Sequence, residues 1–195
     1  ESCSDVMRSA SMNQDGRSAG LTAPNGPSQQ MVLLAALQQA GAVAAEVRAV
    51  ECHGTGTALG DPIEMNALES VFGSKSRHPV LATTAKTRAG HLECSAGLMG
   101  IISSLESLRQ KQPKANLHLR TLNPFLPYED TALLLPTETF MVKSASLAGV
   151  SSFGFGGTNA HALLMVRLSS TSTHVPALVS RFFAPLHLLR KDLQC

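Results

Sequence analysis

The chain has 195 residues, of which 44% are hydrophobic and 15% are charged, with 16 Lys and Arg against 14 Asp and Glu. This length and hydrophobicity predict one folded domain with a sizeable core and exclude general disorder. The net charge of +2, the absence of Trp and the single Tyr argue against a nucleic-acid-binding protein, which needs a basic surface and aromatic stacking platforms.

The sequence contains no apolar run long enough to cross a membrane, because serines and glycines interrupt its most apolar stretch, residues 94–105. The four cysteines lie far apart and form no CxxC pair, which is typical of a reducing compartment. We therefore expect the protein in the cytoplasm or the plastid stroma. Because the first residue is Glu1 and no signal segment follows it, we expect the chain to begin inside a longer protein.

The first secondary-structure signals are a loop, a helix and a strand. Residues 1–30 are rich in Ser, Asn, Gly and Pro, which predicts a structured loop or an irregular segment. Apolar residues at helical spacing predict a helix over about 28–40, and Gly41 is suited to a left-handed cap. Alternating apolar and polar residues predict a strand at 47–52.

The order of strand, polar loop and helix then occurs twice. Asp61, Pro62 and Glu64 predict a helix start, with Asp61 as the cap and Glu64 completing a capping box. A strand is predicted at 79–84, and apolar residues three or four apart predict a helix around 98–108. This repetition predicts an α/β fold with parallel strands joined by crossover helices.

The last third of the sequence is more irregular. Prolines break residues 111–136, which are predicted to form a long loop with short extended pieces. Strands at 147–152 and 160–168 flank a glycine-rich turn and predict a β-hairpin. Because a Ser/Thr-rich stretch typical of a linker follows, we divide the chain into a region of residues 1–168 and a tail of residues 169–195 without an assigned role.

Three polar loops follow predicted strands, and functional sites of α/β sheets collect at the carboxyl ends of strands. His53 directly precedes a loop of two glycines and two threonines, Lys86 and His91 share the second loop, and residues 154–157 form the third. We expect His91 near the start of a helix, whose dipole favours a neutral imidazole, and a neutral imidazole can donate a hydrogen bond to an oxyanion. The alternative is that His53 is an ordinary turn residue, that Lys86 is a solvated surface charge with His91 at a helix end, and that residues 154–157 form a plain hairpin turn.

A zinc hydrolase site built from His53, His91 and Cys94 is a weaker alternative. Adjacent ligands such as Cys52 and His53 chelate one ion poorly, and the sequence has no CxxC or HExxH motif. We therefore predict no metal. The other histidines lie outside such motifs and are interpreted as structural or surface residues: His78, His118, His161, His174 and His187.

Four sequence blocks stand out over residues 11–166. They are Asn13-Gln14-Asp15-Gly16-Arg17-Ser18 with Gly20-Leu21-Thr22-Ala23-Pro24-Asn25-Gly26, His53-Gly54-Thr55-Gly56-Thr57 with Leu59-Gly60-Asp61-Pro62-Ile63-Glu64, Gly90-His91-Leu92-Glu93 with Ala96-Gly97, and Ser152-Phe153-Gly154-Phe155-Gly156-Gly157-Thr158-Asn159-Ala160-His161. Together, in this order, they resemble the β-ketoacyl synthase (ketosynthase) domains of type I polyketide synthases and related fatty acid synthases. The resemblance implies an α/β fold that is the C-terminal half of a thiolase-like fold.

The family's reaction is a decarboxylative Claisen condensation, an acyl transfer in which the enolate of a malonyl group on acyl carrier protein attacks an acyl group on a Cys thiolate. The resemblance implies that the N–H groups of His53 and His91 stabilise the enolate oxygen. It also implies that Lys86 organises the charge and hydrogen bonds around His91.

The substrate-binding residues are likewise implied by the resemblance. Thr55 and Thr57 match hydroxyls that hold the phosphopantetheine arm, which carries the substrate, and no tightly bound cofactor is expected. Phe155 matches the gating aromatic beside the nucleophile, whose backbone N–H helps to form the oxyanion hole, and Gly156 follows it in the same site.

The sequence departs from the family pattern in two places. The family nucleophile is a Cys in a Thr-Ala-Cys-Ser-Ser type elbow, which is not found here, and Cys52 and Cys94 lack the base or helix N-terminus that activates a thiol. Thr87-Arg88-Ala89 replaces the usual Ser-Asn-Ile, and Arg88 is expected to place a bulky charge near His91.

These departures lead to two hypotheses about function. In the first, the chain supplies the enolate-stabilising half of a ketosynthase and is inactive alone, with acyl carrier protein, the N-terminal half of the same domain and a second copy in a homodimer as partners. In the second, it is a degenerate, non-catalytic fragment used for assembly or for binding carrier protein.

Overall fold

The structure is a computed structural model that describes residues 5–16, 20, 23–73, 78–126, 131–139, 141–142 and 147–166. The predicted tail of residues 169–195, and the boundary at 168, lie outside the described residues and stay predictions. Within the described part of the chain, no helix combines the length and apolarity that crossing a membrane requires.

Six strands form one mixed sheet in the order β1-β6-β5-β2-β3-β4. Strands β2 to β5 are mutually parallel, whereas β6 runs antiparallel to both of its neighbours. The carboxyl ends of β2, β3 and β5 therefore lie at one edge of the sheet. The strand bounds are β1 Asp5–Gln14, β2 Val47–Glu51, β3 Val80–Thr83, β4 Leu133–Leu134, β5 Leu147–Phe153 and β6 Thr158–Val166.

Helices cover both faces of this sheet, as the α/β prediction requires. The helices are α1 Gly26–Ala40, α2 Gly60–Phe72, the single turn α3 Lys86–Ala89 and α4 Ala96–Gln110. Helices α1 and α2 bury Leu33, Leu68 and Phe72 in the larger core cluster, and Leu108 of α4 packs with Val150 in the second one. Gly41 ends α1 in the left-handed conformation, with φ 60°, as predicted.

The loop predicted for residues 1–30 is wrong for residues 5–14. These residues form the ten-residue strand β1, which pairs with β6 from Asp5–Val166 to Gln14–Thr158. Strand β1 lies at the edge of the sheet and is held by backbone hydrogen bonds to β6. It therefore lacks the alternation of apolar and polar residues by which buried strands are recognised in a sequence. Its polar side chains contribute as well, since the Ser9 hydroxyl donates to the Ala36 carbonyl at 2.8 Å.

Gly149 allows β5 to lie directly against the buried ring of His161. A Cβ at residue 149 would lie 2.7 Å from Cε1 and 2.8 Å from Nε2 of that ring, which is only 1% exposed. We expect Gly149→Ala to lower the free energy of unfolding by about 1–3 kcal/mol, since a tightly packed ring must shift. Urea denaturation measures this, with Gly20→Ala as the control because the space around Gly20 is open. Equal midpoints for the two variants would contradict the prediction.

Candidate functional site at the carboxyl edge of the sheet

The two histidines of the polar loops lie together at the carboxyl edge of the sheet. His53 follows β2, and His91 follows β3 and the single turn α3. Their ring centroids are 5.9 Å apart, and the ring planes are inclined at 82°. The structure therefore brings both imidazoles to one place, although 38 positions separate them in the sequence.

The ring of His53 is held in one tautomer by the end of β5. Its Nδ1 accepts a hydrogen bond from the Phe153 N–H at 3.3 Å, and the Phe153 ring packs beside it, with centroids 5.7 Å apart. A nitrogen that accepts carries no proton, so the hydrogen of the neutral ring is on Nε2. Burial, assisted by the charges of Lys86 and His91, lowers the pKa of His53 to about 4. At neutral pH the ring is thus an uncharged donor through Nε2.

His91 has the same tautomer for a different local reason. Its Nδ1 accepts from the Glu93 N–H at 2.9 Å, which also leaves the hydrogen on Nε2. The expected placement at a helix start is wrong, because α4 begins only at Ala96, after a 3₁₀ turn at residues 93–95. The field of a helix dipole fades within its first turn, so the Glu93 N–H, rather than the helix, selects the tautomer.

The buried carboxylate of Glu64 fixes the His53 loop. Its two oxygens accept from the backbone N–H groups of His53 at 2.7 Å and Gly54 at 2.8 Å. The predicted capping box is therefore wrong: Leu59 is the N-cap of α2 without a side-chain bond, and Asp61 accepts from the Gly56 N–H instead. Burial raises the pKa of Glu64 to about 7, against the lowering effect of the two N–H donors.

Lys86 is the first residue of α3, in the segment that leads from β3 to His91. It lines a small cavity together with Glu51, Gly90 and Leu92. Its charge is the second cause, after burial, of the lowered pKa of His53. The ammonium group is therefore near enough to His53 to influence it electrostatically.

The residues assigned to substrate binding lie in two loops at this edge. Thr55 is half-buried and Thr57 is exposed, and the Thr57 hydroxyl oxygen accepts from the Gly60 N–H at 3.0 Å. Phe155 is 84% exposed at the tip of the β5–β6 turn. Gly156 is also exposed, and its carbonyl accepts from the Gln14 side chain at 3.1 Å, which ties the turn to β1.

Sequence reasoning does not identify two residues that hold the site. Phe153, and not Phe155, contacts the ring of His53. The sequence pattern predicts Glu64 as part of a helix cap, although it binds the loop that carries His53. The position of Phe153 just before the glycine turn is the available signal for the first. For Glu64, no local sequence signal distinguishes a helix-capping carboxylate from one that accepts hydrogen bonds from the backbone of a preceding loop.

Two cysteines and the possible metal ligands are described by the structure. Cys52 is 4% exposed, and burial raises the pKa of its thiol well above the usual value, so it remains a protonated thiol. Cys94 is an exposed free thiol. Within the described ranges no three His, Cys, Asp or Glu side chains are grouped as metal ligands, which leaves the zinc alternative without a ligand set there.

Arg88 does not have the orientation that the sequence led us to expect. Its guanidinium donates to the Ser103 hydroxyl of α4 at 2.8 Å and to the Ala115 carbonyl at 3.1 Å. The physical reason is the burial of Glu51, whose negative charge lies on the inner side of the loop and attracts the cation. Arg88 is therefore directed into the protein rather than toward the ring of His91.

Comparison with known proteins connects this site with one family. The family described as "Beta-ketoacyl synthase, C-terminal domain" matches residues 5–120. The chain is 44% identical over 164 residues to the spectinabilin polyketide synthase system protein NorA' of Streptomyces orinoci, covering 82% of this chain and 4% of that protein. It is 42% identical over 162 residues to the erythronolide synthase EryA2 of Saccharopolyspora erythraea, covering 82% of this chain and 4% of that protein.

Solved ketosynthase structures have the same fold. The oxazolomycin ketosynthase domain OzmH KS7 of Streptomyces albus JA3453 superimposes with a TM-score of 0.80 and 31% identity, covering 86% of this chain and 30% of that one. The ketosynthase from module 6 of the bacillaene synthase of Bacillus subtilis 168 superimposes with a TM-score of 0.78 and 31% identity, covering 85% of this chain and 32% of that one.

These comparisons confirm the fold class, since the six-stranded sheet and its helices match part of a thiolase-like ketosynthase. The chain spans only 4% of the length of each of the two curated relatives named above. The matching region, however, covers more than half of the chain. The chain therefore belongs to the β-ketoacyl synthase family, as a C-terminal ketosynthase domain.

Proposed function

We propose that this chain supplies the enolate-stabilising part of a ketosynthase that catalyses decarboxylative Claisen condensation in polyketide or fatty acid synthesis. The observation that carries the proposal is the pair of imidazoles. His53 and His91 both accept a backbone N–H at Nδ1, and their rings are neighbours. Both Nε2–H groups are therefore left as donors for a shared acceptor.

The chemistry of decarboxylation requires such donors. When a malonyl thioester loses carbon dioxide, the bond to its carboxylate breaks and the electron pair moves through the α-carbon onto the thioester oxygen. Two hydrogen bonds from fixed neutral rings stabilise that oxygen without reorganisation at the moment of reaction. The enolate carbon then attacks the acyl thioester on Cys, and the Cys thiolate leaves. Lys86 supports these steps because its charge adds to the effect of burial in keeping His53 uncharged.

The loops beside the histidines are proposed to bind the substrate carrier. Thr55 and Thr57 follow His53 in the chain, so hydroxyls at these positions can bind the phosphopantetheine arm of acyl carrier protein while the thioester reaches the imidazoles. Phe155, at the exposed tip of the turn, suits a mobile gate, and Gly156 leaves space beside it.

The outer surface of α4 supports a role for the N-terminal half as partner. Leu98 is 60% and Ile102 is 40% exposed on this helix, and neighbouring apolar side chains of this size mark a contact surface. We propose that the N-terminal half covers them and brings the acylated Cys to the histidines. A homodimer of the completed domain belongs to the same proposal.

The test is to assemble the chain with a ketosynthase N-terminal half, to load it with an acyl thioester of phosphopantetheine as the acyl donor, and then to add malonyl-acyl carrier protein. We expect release of carbon dioxide and an acyl-enzyme detectable by mass from the assembled protein, and neither from the chain alone. Binding of acyl carrier protein without either product would overturn the proposal and favour the non-catalytic alternative.

The acid limit of the reaction gives a separate prediction. Because burial and the charge of Lys86 hold the pKa of His53 at about 4, the loss of decarboxylation that comes from protonating this ring should appear only near pH 4. Lys86→Gln removes the positive charge that helps to lower the pKa of His53. The pKa of His53 should then rise, and the acid limb of the plot of kcat against pH should move to higher pH. Lys111→Gln is the control, and an unmoved limb in Lys86→Gln would contradict the prediction.

A further inference from the structure

A buried cluster of charged and hydroxyl side chains lies beneath the two histidine loops. Its centre is Glu51, the last residue of β2, which is 5% exposed. The Glu51 carboxylate accepts hydrogen bonds from the Ala85 N–H and, at 3.1 Å, from the Thr83 hydroxyl. The Glu51 carboxylate thus connects the end of β2, just before Cys52 and His53, with the segment that leads into Lys86.

Arg88 reaches the same cluster from α3. Its Nη2 donates to the Ser103 hydroxyl at 2.8 Å, and that oxygen lies 3.4 Å from Oε2 of Glu51. A hydroxyl can accept one hydrogen bond while donating its own proton in another, so Ser103, which is 2% exposed, bridges the cation and the anion. The second branch of the guanidinium binds the Ala115 carbonyl at 3.1 Å.

Charge balance explains why the bridge matters. A buried carboxylate is costly unless it is paired or hydrogen-bonded. Burial raises the pKa of Glu51, and the charge of Arg88 opposes that rise. Each charge therefore lowers the free-energy cost of burying the other. Ser103, which contacts both side chains, attaches the two histidine loops to α4.

We propose that Arg88 is a positioning residue: bridged to Glu51 through Ser103, it fixes the His91 loop relative to the His53 loop. Arg88 lies three residues before His91, and Glu51 lies two residues before His53. The two branches of the guanidinium reach Ser103 and the Ala115 carbonyl at once, which a shorter side chain at this position could not do, so the two-branched contact depends on Arg here. The catalytic consequence rests on the proposed function, whereas the geometric consequence does not.

The experiment compares Arg88→Lys with Arg109→Lys in the full chain assembled with a ketosynthase N-terminal half. Lysine keeps the charge but lacks the planar two-branched donor. Arg109 is the matched control because it makes a similar two-branched contact, with Asp5, at the opposite end of α4 from the His91 loop. The measurements are decarboxylation of malonyl-acyl carrier protein, urea unfolding, and the ¹⁵N spectra of the imidazole nitrogens.

We expect Arg88→Lys to lower kcat about tenfold per folded molecule with an unchanged KM, as misplacement of a catalytic donor does. The ¹⁵N shifts of its His91 ring nitrogens should differ from those of the wild type, because the loop that carries the ring is no longer held in place relative to His53. Arg109→Lys should lose stability only. Equal kcat values in both variants, or wild-type ring spectra in Arg88→Lys, would overturn the proposal.

The two proposals fail in different ways. If the wild-type assembly does not decarboxylate, the proposed function is wrong, and the ring spectra alone decide the role of Arg88. An unchanged His91 spectrum in folded Arg88→Lys then overturns the positioning role, and an altered spectrum in that variant alone supports it.

Discussion

Replacing His53 or His91 by Ala is expected to lower the rate of malonyl decarboxylation by about 10²- to 10³-fold, the usual cost of losing one fixed donor to a developing oxyanion. The reason lies in the geometry, since each ring presents its Nε2–H while Nδ1 is occupied by a backbone N–H. A water molecule that fills the vacated space must reorient as the charge develops, so it replaces the donor poorly. The affinity for malonyl-acyl carrier protein should change little.

The measurement is single-turnover release of carbon dioxide by the assembled protein. His78→Ala is the matched control, because His78 is an exposed histidine outside the site. The double variant adds a sharper condition. If both rings stabilise one oxygen, removing the second should cost less than removing the first, since groups that act as a unit are not additive. An unchanged rate in either single variant would end the assignment.

The position of the site could be predicted from the sequence because it follows from strand direction. Parallel strands end at one edge of a sheet, and each polar loop directly follows a strand. The loops of His53 and His91 therefore had to be neighbours once β2 and β3 were identified and paired in parallel. The same reasoning located the turn after β5, which runs parallel to β2.

Contacts between residues distant in the sequence could not be predicted in this way. The polar strand β1 is stabilised by its ladder with β6, about 150 positions away, and lacks the alternation that identifies a buried strand. The orientation of Arg88 depends on Ser103 and Ala115, and no local pattern reveals a carboxylate buried on the far side of a loop. Motifs indicated candidate residues that lie together at this edge of the sheet, but burial determined their hydrogen-bond partners.

Glu64→Gln is expected to destabilise the fold at acid pH more than at neutral pH. The amide keeps the shape of the side chain but presents its NH₂ group to one of the two backbone N–H groups of the His53 loop, which costs about 1–3 kcal/mol for an unpaired buried donor. The kcat for decarboxylation should fall with it, because the loop carries His53. Urea unfolding across the pH range measures the first effect.

The pH dependence has a definite sign. Burial raises the pKa of Glu64 from 4.5 to about 7, so the folded state binds this proton more tightly than the unfolded chain does. The stabilisation from protonation is complete below pH 4.5 and is lost as the pH rises through 7; the shift corresponds to roughly 3 kcal/mol. Gln cannot titrate, so the difference between wild type and variant in the free energy of unfolding should shrink by about this amount between about pH 4 and 8.

The control for this prediction is Glu46→Gln, which removes an exposed carboxylate that also accepts a backbone N–H, from Val43 at 2.8 Å. Comparing the two variants separates the loss of an acceptor from the loss of a buried titrating group. A wild-type advantage over Glu64→Gln that grows as the pH rises would mean that the N–H groups of His53 and Gly54 outweigh burial and keep the carboxylate ionised. In that case the loop that carries His53 is held by a buried anion rather than by a carboxyl group that gains a proton below neutral pH.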